Sequence, residues 1–232
     1  MTAAGPEGLP TVRKKVPIAA PEVVPETPWH PGELGSDGAC GDWTGVRAYT
    51  VGHSTRTQEE MVELLRGHGV ATLVDIRKMP RSRHNPQFNL EVLAEAMPAA
   101  GIGYAHLSRL GGLRRGSNAA SPNGGWRNAG FRAYADYMQT EAFAEGLAEL
   151  RAIAEAGPVA LMCAEAVPWR CHRSLVADAL TVRGVEVREI ASPTRATVHT
   201  LPSFARAEGC HLTYPPADPE ADVAHPEEDA GA

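Results

Sequence analysis

The stretch from Pro158 to Ser174, PVALMCAEAVPWRCHRS, decides the fold class of this chain. An apolar run of strand length ends at Cys163, and Pro168 marks a loop before a helical pattern begins near Cys171. In a parallel α/β sheet, the loop between the carboxyl end of a strand and the next helix binds ligands, because backbone N–H groups and the helix dipole point into it. The stretch therefore predicts a strand–loop–helix unit with a candidate site in its loop.

The neighbouring sequence repeats this alternation. Apolar runs of strand length occur at Val46 to Gly52, Val70 to Ile76, Ile102 to Leu107, Val159 to Cys163 and Val185 to Ile190. Helical patterns fill the intervals, and parallel neighbouring strands need such crossover helices. The sequence therefore predicts a single Rossmann-like α/β domain, with a mostly parallel sheet of about five strands and helices on both faces.

Composition sets the predicted domain limits. Residues 1–45 are rich in Pro, Gly and Ala without periodic apolar positions, which predicts a disordered N-terminal tail. The α/β domain is predicted over 46–192, an extension of uncertain structure over 193–214, and a disordered acidic tail over 215–232. This last tail has six acidic residues and no Lys or Arg, so it accounts for the whole formal net charge of −6 of the 232-residue chain.

The sequence also argues against several classes of protein. No apolar run approaches the roughly 18 residues of a membrane helix, and no basic segment precedes an apolar core at the N-terminus, so we expect a cytoplasmic protein without membrane contact. Four cysteines are too few for a disulfide scaffold at this length. The absence of GxGxxG, P-loop, HExxH and GxSxG patterns argues against the standard dinucleotide, nucleoside triphosphate, zincin and hydrolase sites.

The loop that follows the Val159 to Cys163 run concentrates reactive side chains. Its predicted site residues are Cys163, Glu165, Cys171, His172 and Arg173. A helix N-terminus with cationic neighbours lowers the pKa of a cysteine, so Cys171 is the predicted thiolate. We predict the thiols, the carboxylate and the imidazole as catalytic and the guanidinium of Arg173 as substrate-binding. The alternative for Cys163 is a small buried core residue.

Polar residues also follow two earlier strands. His53 comes after the first predicted strand, and Asp75 and Arg77 come at the end of the second. Because the carboxyl ends of parallel strands share one edge of a sheet, we expect these residues to converge with the loop after Cys163. His53 is predicted as a general acid or base, with a structural role as the alternative. Asp75 is predicted to orient Arg77 or His53 at a substrate-binding position.

Basic residues next to these strand ends favour an anionic ligand. The loop after Arg77 carries Arg81, Ser82 and Arg83, and a guanidinium fork matches the oxygens of phosphate or carboxylate. We predict all three as substrate-binding, with a solvated basic loop as the alternative. The window from Ala96 to Ala135 adds five Arg and no acidic residue, which predicts a locally cationic surface.

An aromatic residue near this window suggests a second class of partner. Trp126 lies in a long loop rich in Gly, Ser and Asn, beside the Arg-rich window. Interleaved aromatic and Arg side chains can stack on bases, as in single-strand nucleic-acid sites. Trp126 is therefore predicted as substrate-binding, whereas the nearby aromatics at helical spacing favour core packing.

A metal site is a less favoured interpretation of the same residues. Zinc could be bound by Cys163, Cys171, His172 and His53, whose side chains include the usual ligand types. Their spacing matches none of the common patterns of close ligand pairs. We therefore predict no cofactor and no metal ligand, with zinc as the alternative.

Five ordered blocks of the chain resemble one known family. They are TVGHSTR at 50–56, LVDIRKMPRSRHNPQFN at 73–89, Tyr104 with LGG at 110–112, FRAYADYMQTEAF at 131–143, and LMCAEAVPWRCHRSLVADAL at 161–180. Over about residues 48–190 the sequence is similar to the family catalogued as domain of unknown function 488. The resemblance implies a compact α/β domain whose pattern includes His53, Asp75, Arg77, Pro80, Ser82, Cys163, Glu165, Cys171, His172 and Arg173. Tyr104, which lies in one of the matching blocks, is predicted as substrate-binding. The resemblance implies no activity.

A shorter resemblance concerns the loop after Cys163 alone. An apolar strand ending in Cys, a loop containing Arg and a helix beginning with Ser are similar to the active-site loop of rhodaneses and Cys-dependent phosphatases. Six residues separate Cys163 from Arg170, where those families have five. The analogy adds a sulfur-transfer function to the hypotheses.

Three hypotheses follow. The leading one is an enzyme that acts on a phosphate-bearing or nucleotide-like substrate through a Cys, Glu, His and Arg site. The second is a non-catalytic module that binds nucleic acid or nucleotides. The third is a thiol-dependent sulfur-transfer or redox protein. The expected partner is a small anionic ligand, and the oligomeric state stays open.

Overall fold

The computed structural model describes residues 40–114, 116 and 120–216. Most of the two predicted tails, 1–45 and 215–232, lies outside the described residues, and so does Arg115 of the Arg-rich window. Trp43, just before the predicted start of the domain, is 7% exposed and packs in the core. The ordered part therefore includes residues before position 46.

Strands and helices alternate through most of the described chain. The strands are β1 Ala48–Gly52, β2 Thr72–Asp75, β3 Gly103–His106, β4 Val159–Cys163, β5 Val187–Ser192, β6 Arg195–Val198, β7 Arg206–Glu208 and β8 His211–Thr213. The helices are α1 Gln58–Gly67, α2 Leu90–Ala99, α3 Ala129–Tyr137, α4 Glu141–Ala154 and α5 Arg173–Thr181. Among the described residues, no helix is long and apolar enough to cross a membrane.

The main sheet has six strands in the order β3-β2-β4-β1-β5-β6. The first five run parallel, and β6 pairs antiparallel with β5. The prediction of about five strands missed β6, because the chain turns back directly after β5. The order resembles the 3-2-1-4-5-6 order of doubly wound sheets, except that β1 and β4 have exchanged places. A mixed α/β fold with a mostly parallel sheet is thus confirmed.

Strand β4 is central in this sheet and is buried along its whole length. Its side chains alternate between two apolar core clusters: Leu161 belongs to the cluster that includes Leu150 of α4 and Leu175 of α5, and Met162 belongs to the one that includes Met61 of α1 and Met97 of α2. Burial on both faces explains why this strand appears in the sequence as a continuous apolar run. The helices therefore cover both faces of the sheet and leave its edge for the site.

Helix boundaries follow local capping rules. Thr57 and Glu60 form a reciprocal capping box at the start of α1, with the Glu60 N–H donating to Thr57 Oγ1 at 3.2 Å and the Thr57 N–H to Glu60 Oε2 at 2.8 Å. Asn128 caps α3 by accepting from Gly130 and Phe131. These caps fix where the loops after β1 and before α3 end.

The C-terminal extension is ordered and packs against the domain. Strand β6 joins the main sheet, and β7 and β8 form a two-stranded hairpin. Cys210 in this hairpin forms a disulfide with Cys40, with the two Cα atoms 5.4 Å apart. Tyr214 is fully buried, and its hydroxyl donates to Asp178 of α5 at 2.7 Å. The region of uncertain structure over 193–214 is therefore part of the folded body.

Candidate functional site

A polar cleft of about 390 Å³ lies at the carboxyl edge of the parallel sheet. The loops that follow β1, β2 and β4 form it, because these three strands are neighbours and end on the same edge. Its polar lining comes from His53, Ser54, Arg77, Arg81, Ser82, Asn85 and Glu165. The structure thus brings together residues separated by more than a hundred positions in the sequence. We call this space the polar cleft.

A buried ion pair forms the floor of the polar cleft. Asp75 is 0% exposed. Its Oδ1 accepts from Arg77 Nε at 2.8 Å, and its Oδ2 accepts from the NH2 group of Arg77 at 2.5 Å. The Arg77 backbone N–H and the Tyr104 hydroxyl also donate to Asp75, each at 3.0 Å. Burial and the Asp75 charge raise the pKa of Tyr104 far above its usual range, which keeps its phenol protonated as a donor. Asp75 therefore acts here as the group that orients Arg77.

The remaining donors of Arg77 determine what it can offer a ligand. Besides Asp75, the NH2 group of Arg77 donates to the Phe88 carbonyl at 2.6 Å, and its NH1 group lies 3.2 Å from His53 Nε2. A guanidinium has five N–H donors. One NH1 donor has no hydrogen-bond partner among the described residues, and Arg77 lines the polar cleft. A ligand oxygen can accept from this single, rigidly held N–H.

His53 has both ring nitrogens in use. Nδ1 lies 2.9 Å from the Ser54 carbonyl, which makes Nδ1 the protonated nitrogen and leaves Nε2 to accept from Arg77. The ring stacks on Phe88 with centroids 4.3 Å apart. Burial, with the nearby Arg77 charge, lowers the pKa of His53, so its neutral form is favoured. This geometry suits a residue that positions Arg77.

The basic loop separates two arginines with different surroundings. Arg81 is exposed and lines the polar cleft, whereas Arg83 is exposed outside it. Ser82 is fixed by its backbone N–H, which donates to Asn89 Oδ1 at 2.8 Å, and by its hydroxyl, which accepts from the Asn85 N–H at 3.0 Å. The loop is therefore built to place Arg81 at the polar cleft, and it leaves Arg83 in solvent.

The loop after β4 places Glu165 in the polar cleft. The carboxylate is exposed, and it accepts from the Val167 N–H at 3.4 Å. Arg173 is only 2% exposed and donates to the backbone carbonyls of Glu165 and Ala166. Arg173 was predicted as substrate-binding, but its guanidinium is buried beneath this loop and holds it in shape. A side chain at Gly52 would collide with the same loop, since its Cβ would lie 2.1 Å from the Glu165 carbonyl oxygen.

Two thiols and an imidazole form a separate group, which we call the Cys–His cluster: Cys163, Cys171 and His172. His172 Nδ1 lies 3.8 Å from Cys163 Sγ and 3.7 Å from Cys171 Sγ. The two cysteines are 8% and 4% exposed and are absent from the lining of the polar cleft. The prediction that the sulfurs and the arginines face the same space therefore does not match the structure. Cys163 is the last residue of β4 and is buried, whereas Glu165 lies in the loop after the strand and is exposed.

The two thiols differ in their electrostatic surroundings. A hydrogen bond from the Cys171 thiol is the largest cause that lowers the pKa of Cys163. Burial raises this pKa, but His172 and the Glu165 N–H lower it further, so the net pKa is below the usual value. The same contact and burial raise the pKa of Cys171 well above its usual range. The negative charge of the pair is therefore favoured on Cys163, whereas the sequence pattern predicted it on Cys171.

Two further predicted site residues lie outside the polar cleft. Trp126 packs against Phe131, Phe204 and Tyr214, with ring centroids 4.9, 5.0 and 5.3 Å away. Trp126 is partly buried, and its surroundings are those of an aromatic cluster at the edge of the core. Tyr104 is partly buried, is absent from the lining of the polar cleft, and donates to Asp75. Its position supports the Asp75–Arg77 pair.

The structure adds site residues that the sequence did not indicate. Ser54 lines the polar cleft with φ at +47°, a strained conformation for a residue other than Gly. Asn85 lines it as well. His106, at the end of β3, lies with Nε2 2.8 Å from the Arg77 carbonyl. Its position at a strand end was the one available signal, and the same rule had identified His53 and Asp75.

The Arg-rich window is less cationic than its sequence suggests. Arg109 forms salt bridges with Glu145 and Glu149 of α4, the first at 3.0 Å. Arg114 lies over the Tyr137 ring, 3.4 Å from its centroid. Acidic residues distant in sequence thus neutralise part of the predicted basic surface.

Fold and site together define an α/β protein with a cation-bearing polar cleft at the carboxyl edge of a mostly parallel sheet. The model of the family described as Domain of unknown function DUF488 matches residues 57–180. The chain therefore belongs to this family, which confirms the resemblance of the sequence blocks. No curated protein and no solved structure matches the chain.

Proposed function

We propose that this protein is an enzyme that acts on a small phosphate-bearing substrate, such as a nucleotide, bound in the polar cleft. The observation that carries this proposal is the pairing of a rigidly held Arg77 with an exposed Arg81 and an exposed Glu165 in one space. Ligands of open α/β sheets, including those of the Rossmann-like class, bind at this edge. The volume of about 390 Å³ lies toward the small end of ligand sites, which favours a small molecule.

Anion recognition divides between the two arginines. Arg77 offers one fixed N–H, because Asp75, Phe88 and His53 already hold four of its five donors. Arg81 supplies an exposed charge, and no hydrogen bond to another described side chain competes for it. Charge-assisted hydrogen bonds from such groups to phosphate are stronger than neutral ones. The hydroxyls of Ser54 and Ser82 add neutral donors in the same space.

Glu165 is the group in the polar cleft that we assign to proton transfer. His53 was the other candidate, but its two ring nitrogens are bonded to Ser54 and Arg77, and its pKa is lowered by burial. Glu165 has an exposed carboxylate with one weak backbone contact. A carboxylate near a bound phosphate ester can act as a general acid or base. The cysteines take no part in this assignment because they do not line the polar cleft.

The alternative functions have weaker support. Nucleic-acid binding drew on Trp126 and the Arg-rich window, and these now have aromatic and acidic neighbours. Sulfur transfer needs an accessible thiol, but Cys163 and Cys171 are nearly buried. The polar cleft, in contrast, combines charge with access.

A matched pair of variants tests anion binding. We expect Arg81→Gln to weaken the affinity for inorganic phosphate or a mononucleotide by about 10- to 100-fold, since it removes a charged donor worth about 1.5–3 kcal/mol. Arg83→Gln removes the same charge from the same loop outside the polar cleft and should leave the affinity near that of the wild type. Isothermal titration calorimetry measures both. Equal losses in the two variants, or no binding by the wild type, would contradict the proposal.

Turnover tests the enzymatic part. We expect the wild type to convert at least one member of a panel of phosphate esters and nucleotides. Glu165→Gln should keep phosphate affinity and reduce the rate by about 10²- to 10⁴-fold, the usual contribution of a general acid or base. Phosphate binding without any turnover across the panel would leave a binding protein and reject the enzyme.

A further inference from the structure

The Cys–His cluster has a geometry that the proposed function does not use. Its three potential ligand atoms, Sγ of Cys163, Sγ of Cys171 and Nδ1 of His172, all lie within 4.8 Å of one another. They come from the end of β4 and from the residues that lead into α5. The strand and the helix therefore bring together side chains that the sequence separates by a loop.

The imidazole of His172 is oriented by a second contact. Its Nε2 lies 3.0 Å from the backbone carbonyl of Ile76, an acceptor that requires a proton on Nε2. In the neutral ring, the lone pair is then on Nδ1 and faces both sulfurs. An imidazole held by a carbonyl at its far nitrogen is the usual arrangement of a metal-ligating histidine. The Ile76 carbonyl thus fixes the tautomer that a metal ion needs.

The distances agree with tetrahedral coordination. Zinc bonds of about 2.3 Å to sulfur and about 2.0–2.1 Å to nitrogen place these atoms about 3.6 Å apart at tetrahedral angles. The observed separations between His172 Nδ1 and the two sulfurs are 3.7 and 3.8 Å. Shifts of a few tenths of an ångström would bring both nitrogen–sulfur separations to this value. A hydrogen-bonded dithiol alone does not require the imidazole to be equidistant from both sulfurs.

The cluster is also held from outside. The backbone of Gly112 lies so close to the imidazole that a Cβ there would be 2.7 Å from His172 Nδ1. The Tyr134 ring is 5.2 Å away, centroid to centroid, and its hydroxyl donates to the Leu110 carbonyl at 2.7 Å. Bulk on these sides fixes the ring orientation, which favours a preorganised metal site.

We propose that Cys163, Cys171 and His172 bind a zinc ion. Two thiolates and one imidazole are soft and borderline ligands that suit zinc over magnesium or calcium. Two thiolates and one divalent cation sum to a neutral group, which suits a nearly buried position. Three protein ligands leave one position for a non-protein ligand such as water, and this is the ligand number of catalytic zinc sites. The site uses no side chain of the polar cleft lining, so it stands independently of the proposed function.

Metal content and cobalt spectroscopy test the site in the full chain. We expect the chelator-treated, reduced protein to take up one equivalent of Zn²⁺, measured by elemental mass spectrometry after desalting. Co²⁺ in its place should give the sulfur-to-cobalt charge-transfer band of thiolate ligands and the intense visible bands of a tetrahedral site. Both readouts use the wild-type protein, so they do not depend on the folding of a variant.

Variants assign the metal to these residues. Cys163→Ser, Cys171→Ser and His172→Ala should each weaken zinc affinity by more than about 100-fold, beyond the loss expected from a mere supporting contact. Cys40→Ser with Cys210→Ser removes the other two cysteines and should retain one equivalent of zinc. Circular dichroism checks that each variant is folded.

Three results would overturn the inference. The first is a wild-type protein that takes up no zinc and keeps two free thiols. The second is a disulfide between Cys163 and Cys171 that forms readily in the presence of zinc and excludes it. The third is zinc that stays bound in folded Cys163→Ser and Cys171→Ser variants, since the metal would then lie elsewhere.

Discussion

The polar cleft and the Cys–His cluster begin at the same strand end and have opposite character. Glu165 is exposed and faces the polar cleft, whereas Cys163 is 8% exposed and faces the packed interior. Each region also has its own anchor: Asp75 holds Arg77 in the first, and the Ile76 carbonyl holds His172 in the second. Residues two positions apart therefore serve two regions, because β4 ends at Cys163 and Glu165 lies in the loop that follows.

The difference shows what a dense run of reactive residues can mean. Exposed arginine and glutamate can exchange partners with a ligand, whereas buried thiols beside a partly buried imidazole favour a fixed, internally satisfied arrangement. A single catalytic centre was predicted from the sequence around Cys163. Two regions with separate chemistry fit the structure better.

The largest expected effect concerns the floor of the polar cleft. Asp75→Ala would leave the nearly buried Arg77 without its counter-charge, and we expect a loss of about 3–5 kcal/mol in the free energy of unfolding. Arg109→Ala breaks the exposed salt bridges to Glu145 and Glu149 and should cost about 0–1 kcal/mol. Urea denaturation measures both. Similar losses in the two variants would show that the Asp75–Arg77 pair is not a structural anchor.

The loop between the two regions is the next test. A Cβ at Gly52 would lie 2.1 Å from the Glu165 carbonyl oxygen and 2.8 Å from Arg173 NH1. We expect Gly52→Ala to cost about 1–3 kcal/mol by overpacking and to weaken phosphate binding because Glu165 and Ala166 move. Chemical denaturation and phosphate titration of the same preparation measure the two effects. Unchanged phosphate affinity would show that phosphate binding does not depend on the position of the loop that carries Glu165.

The C-terminal extension supplies a pH-dependent reference outside both regions. His199 lies between Asp178, with Oδ1 2.6 Å from Nε2, and Glu189, with Oε1 3.0 Å from Nδ1; the Tyr214 hydroxyl contacts the same Asp178. Burial opposes its charge, but the hydrogen bonds that its ring donates to Asp178 and Glu189 raise the pKa of His199 to about 9. The stabilisation that the charged His199 gives is therefore complete below the ordinary histidine pKa of 6.5, and it is lost as the pH rises through about 9.

We expect this loss to be about 1–2 kcal/mol after solvent screening is allowed for. Thermal unfolding from pH 6 to pH 10 measures it, and His199→Gln should flatten the dependence. A wild-type profile that is flat between these limits would contradict a charged His199.

The smallest expected effect concerns the ring of His172. Gly112→Ala places a Cβ 2.7 Å from His172 Nδ1, so we expect the ring to shift and zinc affinity to fall by about 10-fold, as for other changes that misorient a ligand. Phosphate affinity should not change, because Gly112 does not line the polar cleft. Competition with a chromophoric chelator measures the zinc affinity. An equal loss of phosphate affinity would show that the polar cleft and the Cys–His cluster are one site.

Most of the sheet could be predicted from sequence, and most of the pairings at the site could not. Continuous apolar runs such as Val159–Cys163 indicate buried parallel strands, and the strand-end rule placed His53, Arg77 and Glu165 together. The burial of Arg173 could not be predicted, because it depends on backbone carbonyls of the preceding loop. The disulfide between Cys40 and Cys210 spans 170 positions and leaves no local signal.

The direction of each side chain was the main missing information. Cys163 and Glu165 are two positions apart, and a continuous strand would place both side chains on one face. Because β4 ends at Cys163, the two side chains instead face different regions. Trp126 lies in a loop by sequence, and its aromatic neighbours come from the C-terminal extension and from α3. Such contacts depend on tertiary packing, which local pattern does not encode.

The most direct test of two separate sites is a paired titration of two variants. Arg81→Gln and Cys171→Ser are each titrated with inorganic phosphate and with Zn²⁺ in the full chain. We predict that Arg81→Gln loses about 10-fold or more in phosphate affinity and keeps its zinc, whereas Cys171→Ser loses zinc and keeps phosphate affinity. Loss of both ligands in both folded variants would contradict the account.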